Sequence, residues 1–237
     1  MIFNVKLINK KDIADGTLAF YFNKPAGLEF RAGQFADITL INPSETDSEG
    51  DTRSLSIASA PYENELMFAT RMRDSAFKRV MRNLPAGSEV KLNAPFGDFT
   101  LHKRESTPAV FIIGGIGVTP VRSMIAQATK DNTSHSITLF HANRSLADSP
   151  FREDFERFSK ENANFSYITV ITGDDTSGTY EEHGHINADI LKRHLSDLTA
   201  PIYYLSGPEG MVKAMRKLLI ELEINQDNIK SEEFAGY

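Results

Sequence analysis

The feature that most constrains this chain is a change of rhythm at His102-Lys103-Arg104-Glu105-Ser106-Thr107-Pro108, a short polar run closed by a proline that cannot continue a β ladder. On its N-terminal side the apolar residues come as short alternations or runs, at 17–22, 35–40, 54–58, 66–70 and 88–92, punctuated by Gly16, Gly33, Gly87 and Gly97. Five or six short strands at this spacing predict an antiparallel β-barrel. One helix interrupts them, because Phe77, Val80, Met81 and Leu84 recur at helical spacing across 75–84. The polar stretch 42–51, with Pro43 and Gly50, reads as a solvated loop.

Beyond Pro108 apolar runs alternate with helical periodicity. A strand at 109–113 precedes a helix through Val121, Met124, Ile125 and Ala128; one at 137–140 precedes Phe151, Phe155 and Phe158 at helical spacing. Strands at 167–172 and 202–205 are each followed by a helix, the first at about 187–195 and the second through Met211, Met215, Leu218 and Leu222. A last strand at about 229–234 makes five. Repeated β-then-α units predict an α/β domain with a five-stranded parallel sheet. The expected organisation is two domains, 1–102 and 108–237.

Composition excludes several classes. A net charge of -6 provides no positive field to attract nucleic acid. The absence of cysteine from the 237 residues rules out disulfides, thiolate zinc sites and a cysteine-ligated iron-sulfur cluster on this chain. The N-terminal residues show no basic run followed by an apolar core, and no segment reaches the roughly 18 apolar residues of a membrane span. The expectation is a soluble, cytoplasmic protein. His183 and His185 flank Gly184 without companions at ligand spacing, so they read as surface residues of a loop.

Four stretches carry chemistry. Arg53-Ser54-Leu55-Ser56 sets a cation close to hydroxyl donors, a pairing suited to a ligand with both a phosphate and a polar ring. Gly114-Gly115-Ile116-Gly117-Val118-Thr119-Pro120 follows a strand and opens a helix, where free amides bind phosphate; Pro120 stands where the usual dinucleotide fingerprint has its third glycine. Ser206-Gly207-Pro208 ends another strand of the same sheet, where a small hydroxyl and a glycine leave room for a flat ring; taken alone it is equally a turn. At the end of the second strand, Asn143, Arg144 and Ser145 occupy the place of a ribose-binding acid, and Arg144 either pairs with a 2'-phosphate or is an exposed surface cation. In the N-terminal half Ser75 can cap the helix that follows it, beside Arg71, Arg73, Lys78, Arg79 and Arg82.

In this order along nearly the whole chain, these stretches resemble the ferredoxin-NADP reductase superfamily. Its flavin motif of arginine, any residue, an aromatic and a hydroxyl matches Arg53-Ser54-Leu55-Ser56, with leucine in place of the aromatic. The resemblance implies that Arg53 binds the FAD pyrophosphate, Ser56 approaches flavin N5 and Leu55 packs on the ring. The second flavin motif aligns Met72 with its glycine and Ser75 with its serine, and Thr70 joins the expected flavin set. Gly115, Gly117, Thr119 and Pro120 match the pyridine-nucleotide loop; Ser206-Gly207-Pro208 matches a cysteine-glycine-proline motif with serine substituted. Glu232-Glu233-Phe234 matches the family's terminal motif, so Phe234 or Tyr237 is expected to cover the flavin, while Glu232 and Ser206 border the nicotinamide.

The activity so implied is hydride transfer from NAD(P)H to FAD, with NADPH favoured through Arg144, and onward electron transfer. With no cysteine here, the acceptor is expected to be a separate ferredoxin, flavodoxin or oxygenase component, or free flavin. A non-catalytic electron-transfer subunit and a flavin-free nucleotide-binding module would carry the same motifs.

Overall fold

The structure is a computed structural model that describes residues 1–175 and 177–233, Glu233 by its backbone alone. The chain divides into two compact units. The first comprises Met1–Thr100 with Thr119–Gln127, and the second Leu101–Val118 with the described residues from Ala128 onward.

The first unit holds β1 (Ile2–Ala14), β2 (Thr17–Asn23), β3 (Phe35–Leu40), β4 (Thr52–Ser56), β5 (Glu65–Arg71), α1 (Ala76–Asn83) and β6 (Glu89–Phe96). Its six strands form one antiparallel sheet in the order β4-β3-β6-β1-β2-β5. Past β4, an isolated bridge joins Ile57 to Phe68 of β5, so the sheet is barrel-like without closing into a full ladder. Val5, Leu7, Phe20, Phe22, Ile38, Phe68 and Leu92 fill the interior, and α1 adds Phe77, Val80 and Met81 from its apolar face. Ser75 caps α1, its Oγ accepting from the Lys78 amide at 3.3 Å.

Periodicity does not reveal β1. Of its 13 residues only Val5 and Leu7 are buried, and register shifts at 7/9 and 12/14 break the alternation. The strand is held by pairing with β2 and β6 rather than by its own apolar content.

The second unit contains β7 (Ala109–Gly114), a 3₁₀ turn (Gly115–Val118), β8 (Ile137–Asn143), α3 (Arg152–Glu161), β9 (Phe165–Ile171), β10 (Glu182–His183), α4 (Ala188–His194), β11 (Ile202–Gly207), α5 (Glu209–Glu221) and β12 (Ile229–Glu233). Helix α2 (Thr119–Lys130) begins directly after the 3₁₀ turn, and its Thr119–Gln127 portion groups with the first unit. The strands are parallel throughout, in the order β10-β9-β8-β7-β11-β12. The sheet thus has six strands rather than five, the addition being the two-residue β10, too short for any periodic signal. Such sheets read as continuous apolar runs because both faces are covered, and β7 is buried at every position. The chain runs from β7 outward to β8 on one side and later to β11 on the other. The connections therefore diverge beyond the carboxyl ends of β7 and β11, the place where open α/β sheets bind ligands.

Candidate functional site

In the first unit the candidate site is built on β4. Strand alternation sends Arg53 and Leu55 to one face and Ser54 to the other, where Ser54 Oγ donates to Asp37 at 2.6 Å. Leu55 packs against the interior. Ser56 is 4% exposed, and its Oγ has no hydrogen-bond partner among the described residues. A buried hydroxyl left unmatched costs about 1–3 kcal/mol, so this position is polar and incomplete in the protein alone. Thr70, on β5, is buried, with its hydroxyl near the Arg71 carbonyl at 3.4 Å.

Arg53 is engaged by the loop between β3 and β4. Its Nη1 donates to the carbonyls of Glu49, Gly50 and Thr52 at 3.0, 3.2 and 2.8 Å. Its Nη2 meets Asp47 Oδ1 at 3.3 Å and Glu49 Oε2 at 2.8 Å, and the guanidinium lies over the Phe77 ring. Asp47 Oδ2 also accepts from the Ala76 amide, the first residue of α1, at 2.9 Å. That amide bond first, then the Glu49 amide and Arg53, hold the Asp47 carboxyl below the usual carboxylate range. Half-buried Lys78 is pushed below the usual ammonium range by burial and then by the charges of Arg73 and Arg53. Three cations therefore converge on the start of α1. Farther along the helix, Arg79 is bound by Glu45 and Asp74, so part of its basic face is neutralised.

The segment after the motif is also fixed. Arg122 of α2, 5% exposed, donates to the Ala58 carbonyl at 3.1 Å and forks onto Glu63 at 2.5 and 3.0 Å. Ser123 Oγ donates to the Ser59 carbonyl at 2.7 Å. An arginine beside the apolar stripe of a helix is the sequence signal for this link, but its partner lies 59 positions away.

In the second unit, the glycines of the two expected nucleotide stretches meet each other. A Cβ on Gly117 would lie 2.7 Å from Gly207 N, and one on Gly207 3.0 Å from Gly114 N, so the turns after β7 and β11 approach backbone to backbone. Ser206, fully buried, donates its Oγ to the Gly117 carbonyl at 3.0 Å and ties the turns together. On β8, His141 is fully buried between Gly115 and Tyr167. The Gly115 carbonyl can only accept, so Nε2 carries the proton and donates at 3.0 Å, while the Tyr167 hydroxyl donates to Nδ1 at 3.3 Å. Burial holds this imidazole neutral, with its pKa lowered to about 4. Motif reading did not single out His141, because nothing local marks it.

Arg144 is exposed at the end of β8. Pro208 precedes α5, and Glu232 lies on β12 opposite Ser206 of β11. Thr119 and Pro120 open α2, and Thr119 is buried. Gly115, Gly117, Ser206 and Gly207 are thus gathered at one end of the parallel sheet, and Arg53, Ser75 and Lys78 around the start of α1. Phe234 and Tyr237 lie outside the described residues.

Residues 111–217 match the family described as the oxidoreductase NAD-binding domain. The fold matches the flavohem-like FAD/NAD binding domain of a nitric oxide dioxygenase from Vibrio cholerae O1 biovar El Tor, with a TM-score of 0.84 at 22% identity over 98% of both chains. It also matches a ferredoxin NADP+ reductase from Neisseria gonorrhoeae with bound FAD and NADP, with a TM-score of 0.80 at 18% identity over 98% of both chains. The chain thus carries an oxidoreductase NAD-binding domain and shares its fold with these proteins. Among curated relatives, the phenol hydroxylase P5 protein of Acinetobacter pittii is 28% identical over 241 residues, covering 99% of this chain and 66% of the relative. Across the relatives compared, the chain spans from 39% to 66% of their length.

The residues of the first unit suit a flavin dinucleotide in two respects. The Ser56 hydroxyl lacks a partner, and the converging cations and the Ala76 amide are the donors a pyrophosphate takes. Of these donors, Arg53 and the Ala76 amide are held by Asp47 and Glu49, so the set fits once the carboxylates withdraw.

Proposed function

We propose that this chain is an FAD-dependent NAD(P)H oxidoreductase that passes electrons to a separate acceptor, most simply a ferredoxin, flavodoxin or oxygenase component. The observation that carries the reading is the buried Ser56 hydroxyl without a partner, at the position of the superfamily's flavin motif that faces the reacting edge. Bound FAD would supply two-electron acceptance from a reduced nicotinamide and delivery of electrons onward.

The chain's own groups bind and orient. Arg53, with Ser75 and the Ala76 amide at the start of α1, holds the flavin pyrophosphate. Ser54 and Thr70 belong to the surrounding β4 and β5 framework. Ser56 completes its hydrogen bonding at flavin N5, and Leu55 packs along the ring without aromatic stacking. The turn of Gly115, Gly117, Thr119 and Pro120 receives the pyridine nucleotide at the amides opening α2. Ser206 acts by fixing that turn through the Gly117 carbonyl, and Gly207 and Pro208 leave space beside it. Glu232 borders the nicotinamide, and exposed Arg144 meets a 2'-phosphate, favouring NADPH over NADH. Phe234 or Tyr237 supplies the aromatic cover that Leu55 does not. A relative from Comamonas sp named as reductase component 1 of a terephthalate 1,2-dioxygenase supports a separate acceptor.

The test is the visible spectrum of the purified chain, before and after anaerobic addition of NADPH or NADH. Flavin bands that bleach under a nucleotide are expected, faster with NADPH. A chain that binds no flavin refutes the reading.

A further inference from the structure

We propose that the loop between β3 and β4 is a built-in anion that closes the flavin-phosphate cradle of the flavin-free chain, with Asp47 as its latch and FAD loading as the event that opens it. The inference rests on the reading of Arg53 as a pyrophosphate ligand.

A phosphate bound by this unit needs the guanidinium fork of Arg53 and the exposed amide at the start of α1. Asp47 takes both, one carboxylate oxygen on Arg53 at 3.3 Å and the other on the Ala76 amide at 2.9 Å. Glu49 adds its carboxylate at 2.8 Å and its carbonyl at 3.0 Å, so the loop satisfies Arg53 with side chains and backbone together. A carboxylate and a phosphate cannot share these donors, because two anions at contact distance repel. One must leave for the other to bind.

The surroundings favour such an exchange. Burial first, and then the nearby charges of Arg73 and Arg53, oppose the protonation of Lys78, so an anion beside these side chains is favoured. Asp47 answers it with a single charge, whereas a pyrophosphate offers two and more acceptor oxygens. The loop is exposed at most positions and turns on itself, the Gly50 amide donating to the Asp47 carbonyl at 3.0 Å. Asn42 and Gly50, at its two ends, adopt positive φ. Among the described residues its other side-chain contacts beyond the loop are exposed, Glu45 with Arg79 and Asp51 accepting from the Thr52 hydroxyl at 3.1 Å, contacts of the kind that add little stability. Nothing in the loop is anchored in the interior among the described core residues.

The full chain, stripped of flavin, is mixed with FAD in stopped flow, and quenching of flavin fluorescence gives the association rate and affinity. Asp47→Asn should bind FAD roughly tenfold faster than the parent chain, the scale of one charge-assisted hydrogen bond. Glu49→Gln, which leaves the amide contact at α1 intact, should give a smaller acceleration and guards against a folding defect in the first variant. Inorganic pyrophosphate should compete with FAD more strongly in both variants. If both bind FAD at the parental rate while Arg53→Gln weakens binding, the latch is refuted and the cofactor reading stands. Slower binding by Asp47→Asn with Glu49→Gln unchanged also refutes the latch, making Asp47 a structural cap of α1. If Arg53→Gln leaves FAD affinity intact, the underlying assignment of Arg53 fails and the latch with it.

Discussion

Replacing His141 by glutamine isolates the buried imidazole that holds the Gly115 turn. His141 is 0% exposed and lies against the Gly115 carbonyl, Tyr167 and Phe155. Burial lowers its pKa from 6.5 to about 4 in the folded chain, the bond to Gly115 opposing that shift only in part. Between those values the unfolded chain holds the proton and the folded chain does not. The folded state is therefore whole above the unfolded value and loses stability as the pH falls toward the folded one. Each pH unit in that window costs about 1.4 kcal/mol, so the whole window costs roughly 3 kcal/mol. Glutamine titrates nowhere in this range and keeps an N–H for the Gly115 carbonyl. Near neutral pH His141→Gln should be less stable by about 1 kcal/mol for the altered hydrogen bonds. Near the folded pKa the order should reverse, because only the parent chain pays the protonation cost. Urea unfolding followed by circular dichroism from about pH 7 to about pH 4.5 measures both curves. Acidic groups with lowered pKa, such as Asp47, Asp175 and Glu182, weaken both proteins alike in acid and cancel in the difference. A difference that stays constant across the range refutes the assignment of a neutral, buried His141.

Other substitutions test the remaining contacts. Ser56→Ala should slow flavin reduction by NADPH roughly tenfold or more while changing FAD affinity little; equal reduction rates in stopped flow rule out a role at the reacting edge. Arg122→Met should cost roughly 3 kcal/mol by stranding Glu63 without its cation, and Glu63→Leu in the same chain should recover part of it. Unchanged urea stability of the single variant counts against that link. Gly117→Ala puts a Cβ 2.7 Å from Gly207 N. It should cost about 1–3 kcal/mol and raise the KM for the nucleotide; a variant that keeps both its melting temperature and its KM shows that the turns do not approach as closely as described.

The sequence carries much of this architecture because burial writes itself into local period. Helix α1 was expected across 75–84 and spans Ala76–Asn83 between its Ser75 and Leu84 caps. The strand-end glycines also stand out, although their main visible reason is mutual packing rather than room for a ligand. Strand β1 escapes the same logic, since two buried residues and two register shifts leave no regular alternation. Strand β10 escapes it by its length.

Charge is where local reading stops. The stretch 42–51 looks like solvated loop, and its composition is indeed polar, yet Asp47 reaches Ala76, 29 positions on, and pairs with Arg53. Arg122 finds Glu63 across 59 positions, and His141 finds Gly115 across 26. By itself the sequence determined two folded units and their sheet types, because hydrophobic periodicity and turn residues act within a few positions of themselves. Only the tertiary structure decided which carboxylate meets which cation, which hydroxyl is left without a partner and which imidazole is kept neutral. Those outcomes depend on where distant turns deliver a side chain and on how much water remains around it, and neither quantity is written in any local window.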